Sequence, residues 1–400
     1  MPIPTAFHSR AAALCQTQEW RDWSGYLSAI SYQPSHEFEY YAVRNAAGLI
    51  DVSPLYKYEI SGPDASRLVD RIITRDVSQC AVGQVLYTPW CDENGKVIDD
   101  GTVTRLEAQR FRITAADPSL RWFQDSGFGL DTEVRDVSRE LAALAIQGPS
   151  SRAVLQACLK EIDLDRLPYY HAAEAKLGEI PLTVTRTGYT GDLGYELWIA
   201  AEHAEMVWDR LMEAGAGYGL QPVGLAALDM LRVEAGLLLI DVDYSSVRSA
   251  HIESQTSSPY ELGLGWAVDL EGADFVGKRA LLGEKERGAP RSFVGLRVPW
   301  ADLERLFGAM DLPPQVAGRA SRSALPLYVG RRHVGQATSM LFSPILKEYI
   351  ALATVDSRYA RRGQTLEIEI TVEYKRQRAN ATVSKLPFYN PPWKKAVVGG

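Results

Sequence analysis

A chain of 400 residues is too long for one ordinary hydrophobic core, so two or three domains are expected. Hydrophobic residues make up 46 % and charged residues 23 %, the balance of a globular protein, and a net charge of −7 at pH 7 argues against a general nucleic-acid binder, which needs a basic face. No apolar run reaches the roughly 18 residues of a membrane span, and the first twenty residues lack a basic segment followed by an apolar stretch. Cys15, Cys80, Cys91 and Cys158 form no CxxC pair or zinc framework, and the six histidines are scattered. The expectation is a cytoplasmic protein with reduced, buried thiols, no metal site and no membrane or nucleic-acid partner.

In chain order, the pattern predicts a strand over 57–61 and then a helix over 64–74. Ala65, Leu68, Val69 and Ile72 fall on one helical face, with Asp64 placed to cap its start. A hairpin follows, with strands over 85–91 and 97–106 flanking Asn94-Gly95, a pair that accepts the positive φ of a tight turn. Residues 150–162 read as a second helix, with Leu155, Cys158, Leu159 and Ile162 on one side. Ala204, Val207, Trp208 and Leu211 mark a third, stopped near Gly215, and a fourth spans about 223–234. Beyond about residue 285 strand-like segments alternate with turns. Leu366, Ile368, Ile370 and Val372 alternate with polar residues, which points to a small β-barrel or sandwich. The polar stretch GEKERGAPRS, residues 283–292, is the candidate linker.

Three segments could carry chemistry. In GKVIDDGTVTR, residues 95–105, Asp99 and Asp100 are strand neighbours and must point to opposite faces, so they cannot serve one site together. A carboxylate partly desolvated beside Ile98 would suit proton transfer or stabilisation of a developing cation, although spacing alone favours exposed strand acids. In TGYTGDLGYE, residues 187–196, Gly188, Gly191 and Gly194 alternate with Tyr189, Tyr195 and Glu196. Glycines allow tight turns and close ligand approach, a tyrosine offers a stacking face, and a glutamate can accept two N–H bonds from an amide-like ring edge. A glycine-rich hairpin with an exposed Glu196 is the plainer alternative, and neither phosphate-binding glycine motif is present. In GLAALDMLRVEAG, residues 224–236, Asp229 and Arg232 are three apart and can pair on a helix surface, or Arg232 can line a cavity and face an anion.

Taken in order, these segments resemble the T-protein family of the glycine cleavage system. That family includes aminomethyltransferases, folate-dependent demethylases and the folate domains of sarcosine and dimethylglycine dehydrogenases. AVRNAAGLIDVSP, GKVIDDGTVTR, LAIQGPSS, TGYTGDLGYE, LDMLRVEAG, SPYELGLGW, DFVGKRALL, FSPILKEYIALATV and PFY follow in the family's order over nearly the whole chain. The resemblance implies an α+β fold of the T-protein type, a three-domain cloverleaf around a central folate cavity. Residues 1–50 with 138–284 would form a first, split folate-binding domain, 51–137 an inserted α+β domain, and 285–400 a C-terminal β-barrel domain. It further implies Asp100 as the catalytic aspartate at the reacting nitrogens of tetrahydrofolate. Tyr87, Tyr189, Glu196 and Arg232 would be folate-binding residues, Glu196 reading the pterin edge.

Departures from the family pattern are Pro54-Leu55, Trp90-Cys91, Ala116, Ala226-Ala227-Leu228-Asp229 in place of GARD, and LLLIDVDY over residues 237–244. They alter the donor side and argue against a lipoyl carrier protein as partner. A tetrahydrofolate-dependent demethylase acting on a small methylated substrate is therefore expected. The alternatives are a glycine-cleavage aminomethyltransferase acting on a lipoyl carrier protein and a non-catalytic folate-binding protein.

Overall fold

The structure, a computed structural model, describes residues 1–396. It is built on three main sheets. The first has seven strands in the spatial order Leu159–Lys160, Ala172–Leu177, Ile180–Thr185, Gly194–Ala200, Leu141–Gln147, Ala47–Asp51 and Leu220–Pro222, with only the last pair parallel. Helices Ser151–Cys158 and Ala204–Gly215 bury Val154, Leu155, Val207, Trp208 and Leu211 in the core of this sheet. The second sheet is antiparallel and has five strands in the order Val85–Cys91, Val97–Glu107, Arg110–Ala115, Tyr56–Ser61 and Glu133–Asp136. Helix Ala65–Ile72 turns Ala65, Leu68, Val69 and Ile72 into the core of that sheet, as their spacing predicts. The third sheet is a closed six-stranded barrel of Arg291–Val298, Glu348–Asp356, Arg332–Ser343, Leu325–Val329, Thr365–Val372 and Lys375–Ser384. Closure leaves no free sheet edge. Leu366, Ile368 and Val372 point into the barrel core.

The first two sheets meet along one edge. Val85 N–H donates to the Tyr170 carbonyl at 2.8 Å, and Ala172 N–H to the Gly83 carbonyl at 2.7 Å. This junction sets Tyr170 beside the hairpin that carries Asp100. Helix Leu225–Glu234 packs between the first sheet and the barrel, where Leu228, Leu231 and Val233 share a core with Leu341, Ile350 and Leu352. Buried ion pairs reinforce these joints. Arg44 reaches Glu234 at 2.6 Å with both side chains fully buried, and Glu234 also accepts the Tyr40 and Ser343 hydroxyls. Charges removed from water cost several kcal/mol each unless paired in this way.

Four expectations are corrected. Asp64 does not cap its helix; its carboxylate holds Arg67 and the backbone N–H of Asp131. The second helix stops at Cys158, because Leu159 and Lys160 turn into a strand paired with Leu177 and Lys176. Only part of the stretch assigned as a linker is irregular: residues 283–287 end helix Lys278–Arg287, whose Leu281 is buried with Cys91 and Val97, and residues 291–292 begin a barrel strand. The hairpin loop is longer than a two-residue turn. Only Gly95 takes a positive φ, while the Asp92 carboxylate accepts the N–H groups of Asn94 and Lys96. Residues of segment 238–281 pack on this hairpin. Leu238, Tyr244, Leu262, Leu264 and Phe275 join Cys91 and Val97 in one cluster.

Candidate functional site

Strand alternation separates the two aspartates. Asp99 is fully buried, and its carboxylate accepts N–H bonds from Asp100 at 2.8 Å, Ala116 at 3.0 Å and Asp117 at 2.9 Å. It pins the turn that follows strand Arg110–Ala115. Asp100 faces the other way, half-buried, and accepts the Tyr87 hydroxyl at 2.6 Å and the Tyr244 hydroxyl. Tyr87 pairs with Thr102 in the ladder and so lies diagonally across from Asp100 on the same face. Burial drives the Asp100 carboxyl above its usual range, and the Tyr244 and Tyr87 hydrogen bonds pull it back. Burial also keeps both phenols firmly protonated, so they act as donors. A carboxylate held this way can face a developing positive charge without reorganising.

Glu196 lies on strand Gly194–Ala200, opposite Thr185 in the register. Its Oε2 accepts the Thr187 hydroxyl at 2.5 Å and the Thr185 hydroxyl at 3.5 Å. Its Oε1 takes no hydrogen bond among the described residues, and the side chain is half-buried. Burial raises the Glu196 pKa, while Thr187, the charge of Arg112 and Thr185 oppose the rise. Tyr170 lies between the Glu196 and Tyr87 side chains in electrostatic terms. Its hydroxyl is within electrostatic reach of Glu196, and the Tyr87 hydroxyl is within reach of Tyr170, Tyr189 and Asp100. Tyr189 donates its hydroxyl to the Leu238 carbonyl and leaves its ring half-buried in the same recess. At the rim, the exposed Trp266 ring stacks on Tyr87 with centroids 6.1 Å apart, and Arg75 sits 5.8 Å from the Trp266 centroid.

The glycines of TGYTGDLGYE serve the framework. A Cβ on Gly188 or Gly194 would fall 2.0 or 2.3 Å from the Gln147 side chain. That amide in turn bonds the Thr187 and Tyr195 carbonyls, fixing the loop that presents Tyr189 and Glu196.

The structure thus joins Asp100 to Tyr87, with Tyr189 within electrostatic reach of both and Glu196 reached through Tyr170, and Arg232 stands apart. Arg232 is 1 % exposed and donates to Asp229 at 2.7 Å, Asp243 at 2.5 Å, Ser339 at 2.7 Å and the Leu237 carbonyl at 3.3 Å. It ties its helix to the barrel from behind Tyr189, so the expectation of a guanidinium free to face a ligand is corrected: its donors are taken. Tyr244, Thr185, Thr187, Tyr170 and Trp266 are site residues that motif reading did not single out. Tyr244 and Trp266 lie in the quoted segments LLLIDVDY and SPYELGLGW. Thr187 opens the quoted segment TGYTGDLGYE, while Thr185 ends strand Ile180–Thr185 and Tyr170 precedes strand Ala172–Leu177, and only their contacts reveal these last two.

Cys15, Cys80 and Cys91 are buried and Cys158 half-buried, all unpaired. Burial lifts the Cys80 and Cys158 thiols to about 11, which makes them poor nucleophiles at neutral pH. Among the described residues no group of three or more His, Cys, Asp or Glu side chains could hold a metal, and no helix is long and apolar enough to cross a membrane.

Two family models match the chain: GCVT N-terminal domain over residues 5–272, and glycine cleavage T-protein C-terminal barrel domain over residues 312–390. The trimethylamine-oxide aldolase of Ruegeria pomeroyi is 34 % identical over 404 residues, 98 % of this chain and 47 % of that protein, so the chain spans about half the length of this relative. The aminomethyltransferase of Bacillus cytotoxicus is 36 % identical over 374 residues, 92 % of this chain and 93 % of that protein. The crystal structure of the glycine cleavage system aminomethyltransferase T from Bartonella henselae shares the fold. Its TM-score is 0.82 at 24 % identity, with 98 % of this chain and 99 % of that chain covered.

Proposed function

The chain belongs to the glycine cleavage T-protein family, and from that premise we propose that it is a tetrahydrofolate-dependent one-carbon transferase, a demethylase that moves a methyl or aminomethyl-derived carbon from a small methylated substrate to tetrahydrofolate. The observation that supports this reading is a pair of half-buried carboxylates with different surroundings, bridged by a chain of tyrosines within electrostatic reach of one another. Asp100 lies between two phenol donors, and Glu196 has one oxygen left open.

A reduced pterin fits these groups. Its amide-like edge offers N–H donors to Glu196 Oε1, and Tyr189 and Tyr87 present ring faces to a flat heterocycle. Tetrahydrofolate, when bound, supplies the nucleophilic nitrogen that receives the carbon. The protein does the rest. Glu196 and the aromatic faces orient the ring, which lowers the entropic part of the barrier. Asp100 stabilises the positive charge that develops on the carbon in transit, and Tyr87 and Tyr244 hold its carboxylate in place. Ala226 to Asp229 carry no arginine in place of GARD, and Tyr244, from the departing segment LLLIDVDY, donates its hydroxyl to Asp100. Both features favour a small methylated donor.

Aminomethyl transfer from a lipoyl carrier protein is the second reading. Its support is the aminomethyltransferase relative, which matches along nearly its whole length. Incubation with tetrahydrofolate and a panel of methylated amines, amine oxides, ethers and sulfonium compounds, beside an aminomethyl-lipoyl carrier, separates the two. A small donor that yields methyl- or methylene-tetrahydrofolate by mass supports the first reading. Turnover with the carrier alone replaces it with the second. Folate binding without a product from any donor leaves a folate-binding protein.

A further inference from the structure

Resting on that reading, we propose that Arg112 is a positioning residue for the folate: its buried guanidinium, packed on the Trp198 ring, holds Glu196 as an ionised and correctly aimed acceptor for the pterin edge. Arg112 lies on strand Arg110–Ala115 of the second sheet, where Phe111, Ile113 and Ala115 turn to the helix-covered core. Alternation sends Arg112 to the opposite face, toward the first sheet. It is 3 % exposed, its Cζ is 4.2 Å from the Trp198 ring centroid, and its Nε and Nη2 are buried without a hydrogen-bond partner. Arg105 and Arg186 each leave Nε unpaired but spend their Nη donors on backbone carbonyls, and Arg44 and Arg232 are paired through Nε and both Nη, whereas Arg112 leaves both Nε and Nη2 without a partner.

Trp198 leads from Arg112 to the site. It stands two residues from Glu196 on strand Gly194–Ala200 and so shares its face. Its indole N–H donates to the Thr185 hydroxyl at 3.1 Å, and Thr185 and Thr187 hydroxyls bond the Glu196 carboxylate. Arg112 therefore acts on Glu196 in two ways. Its charge favours the ionised carboxylate, and its stacking fixes the indole that sets the threonine hydroxyls.

The charged surroundings support this assignment. Glu59, Glu174 and Glu196, in that order, sustain the Arg112 charge, and Arg110 opposes it. Lys57, also buried nearby, is held down by burial and by Arg112. Glu59 is committed to Arg110 at 3.1 Å, and Glu174, exposed at the sheet surface, accepts the Thr183 hydroxyl. Glu196, half-buried, is the one of the three with an oxygen that takes no hydrogen bond and no ion pair among the described residues, and Tyr169 and Tyr170 lie within electrostatic reach of it, with Arg75 within reach of Tyr170. Burial brings Arg112 down to about 10, which leaves it a cation at neutral pH.

The test compares Arg112→Gln, Arg112→Met and Arg112→Lys with wild type, measuring KM for tetrahydrofolate and kcat from acid to neutral pH, and tetrahydrofolate binding by tryptophan fluorescence. In the two neutral variants KM is expected to rise up to roughly tenfold at acid pH, below the Glu196 pKa, the equivalent of one pKa unit of lost charge stabilisation, and much less at neutral pH, while kcat stays within about twofold. Losing the cation raises the Glu196 pKa, so as pH falls the increase in KM begins at a higher pH than in wild type. Arg112→Lys restores the wild-type profile. In a Glu196→Gln background, Arg112→Gln adds no pH-dependent effect. If Arg112→Met fails to fold, Arg112→Gln and Arg112→Lys give the same contrast. A KM–pH profile for Arg112→Gln that overlays wild type, or equal losses in the lysine and glutamine variants, overturns the inference alone. A wild-type protein that binds no tetrahydrofolate overturns both it and the functional reading.

Discussion

The helix–barrel junction and the recess between the first two sheets both bury charge, and they handle it in opposite ways. At the junction every ion is spoken for. Arg232 meets Asp229 and Asp243, Asp243 also takes the Thr338 and Ser339 hydroxyls, and Arg44 meets Glu234. In the recess the carboxylates of Asp100 and Glu196 have no basic partner within ion-pair distance among the described residues, and neutral hydroxyls hold them instead. Buried polar groups are normally satisfied within the protein, so saturation marks framework and an open acceptor marks a place for a ligand. Four substitutions test that division.

The largest effect is expected at the junction. Arg232→Met leaves Asp243 in the interior without its cation, while Asp229 keeps Arg322 at 2.7 Å, and removing one partner of a buried ion pair costs about 3–5 kcal/mol. Urea denaturation should show this loss, with tetrahydrofolate affinity of the folded fraction little changed. Wild-type stability with lost folate binding would return Arg232 to the site and erase the contrast.

Next is Asp100→Asn, which removes the charge facing the carbon in transit. A loss of about 2.7–4 kcal/mol is expected, a fall in kcat on the order of 10²–10³-fold, with folate binding nearly intact. Turnover at the wild-type rate would remove Asp100 from its catalytic role.

Glu196→Gln should act on binding more than on rate. Losing a hydrogen bond to a charged group costs about 1.5–3 kcal/mol, roughly 10- to 100-fold in tetrahydrofolate affinity. An effect confined to kcat would mean that the two carboxylates have been assigned in reverse.

The smallest change is Tyr244→Phe, at about 1 kcal/mol, or roughly fivefold in kcat. The Tyr244 hydroxyl stabilises the ionised form of Asp100 and lowers its pKa. Without it the pKa rises, so as pH falls the loss of rate should set in at a higher pH than in wild type. A pH–rate profile unmoved by this substitution would show that Tyr244 does not hold the Asp100 carboxylate.

Much of the site was legible in the sequence because it is local. Period-two alternation put Asp99 and Asp100 on opposite faces, whereas Tyr87 came only from the family resemblance, its place diagonal to Asp100 being set by the ladder register. The glycine spacing marked the loop that carries Tyr189 and Glu196, although the glycines make room for Gln147 rather than for a ligand. Tyr244 was not legible as a partner of Asp100, because the two are 144 residues apart and meet only when segment 238–281 folds back onto the hairpin. Arg232 misled for a related reason. Its spacing from Asp229 showed that it could pair on a helix, but a sequence carries no sign that Asp243 and Ser339 will take its other donors.

The amino-acid order alone determined the helical and strand periodicities, the face of each hairpin residue and the barrel character of the C-terminal part. All of these follow from short-range stereochemistry and from the apolar pattern. Tertiary structure decided which buried charges are neutralised and which stay open, because that depends on side chains delivered from distant segments. In a medium of low polarity, the few ångströms between a paired and an unpaired ion separate framework from binding site.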